Sequence, residues 1–122
     1  MKKENIRADK TTKFAIRVVK CYKYLTEEKK EYVMSKQLLR CGTSIGANAY
    51  ESFYGQTRAD FISKLSIALK EASETSYWFI ILHETGFLDE KLYTSLKTDV
   101  DEIIRIIISS IKTSRNNANE DD

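Results

Sequence analysis

The chain has 122 residues, with 20 Lys+Arg against 18 Asp+Glu, two Cys, four Gly and no Pro. One domain with its own hydrophobic core is expected at that length, and a net charge of +2 is too small to argue for nucleic acid by itself. Two cysteines without metal-ligand spacing exclude a disulfide framework and a zinc ribbon, and the longest apolar stretches fall far short of the ~20 residues of a membrane span.

Average usage would supply roughly six prolines (about 5%), so their absence points to long uninterrupted helices. No secretory signal is visible behind Met1-Lys2-Lys3-Glu4, and the expected setting is the cytoplasm. Charge is uneven along the chain: residues 1–40 carry a net +7, residues 41–88 a net −2 and residues 89–122 a net −3. Such asymmetry reads either as complementarity between neighbouring helices or as an electrostatic footprint for phosphate.

The first helix is expected over about residues 10–29. Phe14, Val18, Tyr22 and Leu25 recur at spacings of four, four and three, which is one apolar face of a 3.6-residue helix. Asp9 or Thr11 is the candidate cap. Lys13, Arg17, Lys20 and Tyr24 line roughly the opposite side. That stripe is a solvated face, or else Lys10, Lys13, Arg17 and Lys20 neutralise phosphates, with Lys2, Lys3 and Arg7 assisting.

A charged link over residues 27–31 leads to Ser35, the candidate N-cap of a second helix over about residues 36–54. Leu38, Gly42, Ile45, Ala49 and Phe53 make one face. A mid-helix Gly costs about 1 kcal/mol relative to Ala, so Gly42 and Gly46 imply that another backbone approaches closely. Thr43, Ala47, Tyr50 and Tyr54 form a second stripe, which is either an oligomer interface or a cover for the chain's own domain. The segment Gly42-Thr43-Ser44-Ile45-Gly46 fits neither GxxxxGK[ST] nor GxGxxG and is no nucleotide site.

Gly55 is placed to end that helix. Thr57-Arg58-Ala59-Asp60 is a helix-start signal for a third helix over about residues 58–85, with Phe61, Leu65, Ala68, Ala72 and Phe79 inward. Around Trp78 it is apolar on nearly every side, as expected of a deeply packed element. Gly86 stops it and Phe87 folds back. Asp89 is the candidate cap of a fourth helix over about residues 90–114, whose inner face is Leu92, Leu96, Val100, Ile103, Ile107 and Ile111. Ile104 and Ile108 widen that face, a hint of self-association. Residues 116–122 are polar and acidic and are expected to form a disordered tail, leaving residues 1–115 as the domain.

Four amphipathic helices joined by short links describe an all-α, antiparallel up-down-up-down four-helix bundle. Chemistry is sparse. His83 has no second His four residues away and reads as structural, Cys21 and Cys41 read as small hydrophobes, and Ser44 has no base beside it. No catalytic residue, metal site or cofactor is assigned. Arg40 and Glu51, eleven apart on one helix face, read as a structural polar cluster that meets charged groups on a neighbouring helix or subunit.

Residues 35–52, SKQLLRCGTSIGANAYES, together with Asp60-Phe61-Ile62-Ser63-Lys64-Leu65, Ala68-Leu69-Lys70-Glu71-Ala72 and Leu82-His83-Glu84-Thr85-Gly86-Phe87-Leu88, carry a family resemblance. They resemble the four-helix-bundle family encoded by intervening sequences in bacterial 23S ribosomal RNA genes, over about residues 14–111. The motif Arg-x-Gly/Ser-x-Ser-Ile-x-Ala-Asn-x-x-Glu is present as Arg40, Gly42, Ser44, Ile45, Ala47, Asn48 and Glu51. The resemblance implies a ring-like homopentamer. It also implies kinship with the accessory variability determinant of diversity-generating retroelements, whose strongly basic pentamers engage nucleic acid and a reverse transcriptase. This chain departs from them in charge, its basic surplus lying in the first helix. The resulting expectation is a non-catalytic oligomeric module partnered by further copies of itself and by RNA or DNA. The alternative is a protein-interaction scaffold that binds a protein partner and no nucleic acid.

Overall fold

With no proline to interrupt them, four apolar stripes wind into α1 (Lys2–Glu27), α2 (Met34–Ser52), α3 (Arg58–Glu84) and α4 (Glu90–Asp121). The computed structural model describes the backbone of residues 2–121 and the side chains of residues 9–117. Sequential helices are antiparallel: Gly46 and Gly42 of α2 lie against Thr11 and Val18 of α1, Glu51 and Arg40 reach Lys64 and Glu71 of α3, and His83 of α3 stacks on Tyr93 of α4. The fold is the all-α four-helix bundle expected from the periodicity. None of its described helices is long and apolar enough to cross a membrane.

The core lies between the four helices and takes Phe14, Val18, Leu25, Leu38, Ile45 and Leu65 almost completely out of water, with Phe79, Leu82, Leu96, Val100 and Ile107 opposite them. Phe14 and Phe79 meet edge-to-face across the diagonal, ring centroids 6.2 Å apart, tying α1 to α3 where the backbones are too distant to touch. Cys21 takes the inward place expected of Tyr22, which is half-buried.

Helix ends depart from expectation where local chemistry offers a better partner. Neither Asp9 nor Thr11 starts α1, since residues 2–10 contain nothing that breaks a helix and Thr11 is buried beneath Gly46. The helix closes through Lys30, at φ 57°, with the Glu31 N–H donating to the Leu25 carbonyl at 2.9 Å. Ser35 does not cap α2. That task falls to the buried Glu31 carboxylate, which accepts from the N–H groups of Val33, Met34 and Ser35 at 3.1, 3.0 and 2.7 Å. A carboxylate there meets the unpaired first-turn donors and the positive end of the helix dipole.

At its far end α2 stops at Ser52, before Gly55. Gly55 serves a close approach instead, since a Cβ there would stand 3.0 Å from that of Asp60. The Thr57 hydroxyl accepts from the Asp60 N–H at 3.0 Å as expected, while the Asp60 carboxylate accepts from Gln56 rather than from Thr57. Gly86, at φ 88°, lets the Phe87 N–H reach the Leu82 carbonyl at 2.8 Å, and Asp89 caps α4 through the Leu92 N–H at 2.8 Å. The α4 backbone continues past residue 114, since no Gly or Pro follows to stop it. The side chains of the polar stretch over residues 118–122 lie outside the described residues.

The surroundings of Trp78 are not enclosed as expected. Trp78 is half-buried, and Tyr77 and Ile80 are 53% and 41% exposed. A bundle of four gives each helix two lateral neighbours, so a helix apolar all round keeps an uncovered outer arc.

Candidate functional site

The basic stripe of α1 turns one edge towards α4. Arg17 donates to the Asp99 carboxylate at 2.6 Å and Lys10 to Glu102 at 3.2 Å, while Lys13 pairs with Asp9 one turn away at 3.1 Å. Three of the four residues expected to meet phosphate are therefore paired with carboxylates of the same chain, two of them across to α4. Lys20 and Lys13 remain on the solvent side. Asp99 and Glu102, three residues apart on one flank of α4, are partners that the sequence alone does not single out. Their spacing is a helical-face signal, but which helix that face meets is not a local property.

Arg40 and Glu51 both find partners on α3 rather than on each other. Arg40 spans Glu71 at 3.3 Å and Glu74 at 2.6 Å, and Lys64 holds Glu51 at 2.8 Å. The Arg40 hydrogen bond holds the Glu74 carboxyl below the usual carboxylate range, and the Trp78 indole N–H donates to the same oxygen at 3.2 Å. Between these pairs Ser44 and Asn48 turn to their own helix, donating to the carbonyls of Arg40 and Ser44. The family motif thus divides into a polar stripe against α3 and a glycine face against α1.

That glycine face explains the close approach expected of α2. A Cβ on Gly42 would stand 2.7 Å from a Val18 methyl carbon, and one on Gly46 would stand 3.3 Å from the Thr11 carbonyl oxygen. The four positions of the second stripe do not share one fate. Thr43 is half-buried, its hydroxyl donating to the Leu39 carbonyl at 2.7 Å. Ala47 is exposed, Tyr50 is 51% exposed and Tyr54 is 77% exposed. Tyr50 meets Phe53 edge-to-face at 6.4 Å. These tyrosines therefore do not cover their own domain.

Groups with latent reactivity sit in structural roles. Burial pushes the Cys21 thiol up to about 11 and also raises that of Cys41, whose sulfur accepts from the Thr75 hydroxyl at 3.2 Å. His83 stacks on Tyr93 at 4.1 Å and shares a 2.8 Å hydrogen bond with Glu90. Among the described residues, no group of three His, Cys, Asp or Glu is arranged to hold a metal ion.

Comparison with known proteins agrees with this geometry. The family model described as 23S rRNA-intervening sequence protein matches residues 3–109. The chain is also similar to a crystal structure of a protein of unknown function from the S23 ribosomal protein family of Bacteroides thetaiotaomicron VPI-5482. The TM-score is 0.89 at 53% identity, over 90% of this chain and 98% of that one. No curated protein matches the chain.

Proposed function

The chain belongs to the 23S rRNA-intervening sequence protein family, and from that membership we propose that it acts as a non-catalytic, self-assembling scaffold, its copies joined through the outer stripe of α2. One observation carries the reading: Tyr50, in the last turn of α2, and Tyr54, in the turn that follows it, stand 51% and 77% exposed near the small, exposed Ala47. Tyrosine joins apolar area to a polar tip at low conformational cost, which suits a surface that is wet in one state and buried in another. The family resemblance supports a ring-like homopentamer as the form of that assembly. Its non-catalytic character rests on the roles already taken by Cys21, Cys41, His83 and Ser44. Free, buried cysteines support a reducing, cytoplasmic setting.

Light scattering coupled to size exclusion tests the assembly. The expected mass is near five times 14.1 kDa, falling towards the monomer in a Tyr50→Asp, Tyr54→Asp variant that keeps its helical circular dichroism. A wild-type monomer at tens of micromolar refutes the reading.

A second reading, an RNA or DNA accessory role akin to that of the retroelement determinant, is favoured by one observation: Lys20 and Lys13 are exposed on the solvent side of α1, Lys13 beside Asp9. A ring multiplies such residues, and phosphate binding through them weakens steeply with salt. Gel shifts on a structured RNA and on duplex DNA at two ionic strengths test it; no shift at low salt in either case removes it. Protein partners captured after nuclease treatment belong to the scaffold reading.

A further inference from the structure

Resting on self-assembly through α2, we infer that the surface receiving Tyr50 and Tyr54 is the groove between α3 and α4 of a second copy, so that copies join head to tail. The bundle has two kinds of side. Ion pairs lie along α1/α4, through Lys10–Glu102 and Arg17–Asp99, and along α2/α3, through Arg40–Glu74 and Glu51–Lys64. Most of the exposed apolar groups on the helices lie along the other two sides, Ile67 of α3 standing apart from them. Along α1/α2 stand Ile16, Val19, Tyr50 and Tyr54; along α3/α4 stand Ile80, Tyr77 and Ile108, the last 48% exposed. These two sides are opposite each other.

On the α3/α4 side the surface opens into a groove of about 360 Å³, floored by Leu69, Ile108 and Ile111 and rimmed by Lys112 and Arg115. It lies where α3 begins and α4 ends. The 2.8 Å Glu51–Lys64 pair ties the last turns of α2 to the first turns of α3, so Tyr50 and Tyr54 stand at the same height as the groove. Copies related by rotation about an axis along the bundle would bring one to the other with no axial shift. A two-fold contact of tyrosines with tyrosines would leave Leu69 and Ile108 uncovered in both copies, whereas the head-to-tail contact covers both surfaces.

The chemistry is complementary as well. Aromatic faces attract ammonium and guanidinium groups, and the phenol oxygens accept hydrogen bonds from the same donors. The carbonyl end of α2, beside Tyr54, carries partial negative charge towards the basic rim. Ala47 lets the α2 backbone come close.

Complementation tests the contact. One variant loses the tyrosines (Tyr50→Asp, Tyr54→Asp) and keeps the groove; the other loses the groove (Ile108→Asp) and keeps the tyrosines. All three positions are half or more exposed, or nearly so, and circular dichroism checks that each variant folds. Each alone is expected to be monomeric, and an equimolar mixture is expected to give a heterodimer that grows no further. An Ile108→Asp variant that assembles like the wild type overturns the groove while leaving self-assembly through α2 intact. So does a mixture that stays monomeric. A tyrosine variant that still assembles, or a wild type that is monomeric, removes the premise along with the inference.

Discussion

Glu31 and Ser35 bind each other in both directions. The Glu31 carboxylate accepts from the Ser35 N–H at 2.7 Å, and the Ser35 hydroxyl donates to the Glu31 carbonyl at 2.8 Å. Closure of α1 and initiation of α2 are thereby one structural event, with both residues buried.

Burial alone would raise the Glu31 carboxyl, but hydrogen bonds from Met34, Ser35 and Val33 outweigh it and hold the group below its ordinary value of 4.5. A depressed carboxyl contributes stability that is present above the unfolded value and lost as pH falls through the folded one. Glu31→Gln is expected to cost about 1–2 kcal/mol at neutral pH, as lost caps do. The difference from wild type should shrink as pH drops below that of free glutamate. Urea denaturation at pH 7 and at pH 3.5 measures both numbers.

Gly42 lies against the stiff, buried Val18 side chain at 2.7–2.8 Å from where a Cβ would stand. Gly42→Ala is expected to destabilise the bundle by about 1–3 kcal/mol despite alanine's better helix propensity. In a Val18→Ala background the methyl group has room, so the added cost should largely vanish. A double-mutant cycle reads the coupling directly; additive costs would locate the strain elsewhere.

Lys30 carries the left-handed turn that ends α1, at φ 57°. A side chain in that region costs on the order of 1 kcal/mol, partly offset by glycine's greater freedom when unfolded. Lys30→Gly is therefore expected to gain about 0.5–1 kcal/mol and raise the melting temperature. A Lys30→Val change, β-branched at the same φ, is expected to lower it.

The buried thiols should be silent in the folded protein. With Cys21 near 11 and Cys41 also raised, hardly any thiolate exists at pH 8. Labelling by an aromatic disulfide reagent is expected to proceed only as fast as the protein opens, and to reach two equivalents at once in guanidinium. Rapid labelling of either residue under native conditions would contradict the packing around Val18 and Thr75.

What periodicity reaches is what one helix can express alone. The spacing of Phe14, Val18 and Leu25 along α1, and of Leu96, Val100, Ile103 and Ile107 along α4, is a record of burial written turn by turn. Thr57, Gly86 and Asp89 are legible as punctuation for the same reason, their hydrogen bonds closing within five residues. Ser35 is displaced as the cap because two acceptors lie within reach of one helix end, and the charged Glu31 outcompetes a hydroxyl for several N–H donors at once.

The sequence by itself thus determined four helices, most of their core faces, the glycine approach and the antiparallel order, all of which follow from short-range spacing and short links. Only the tertiary structure decided that Arg17 and Lys10 are paired with Asp99 and Glu102, that Arg40 bridges Glu71 and Glu74, and that Tyr50 and Tyr54 stay uncovered. The reason is rotational. The flank a helix shows to its neighbour depends on how it is turned about its own axis, and that setting comes from contacts such as Gly42 on Val18 and Gly46 on Thr11, made between residues far apart in the chain.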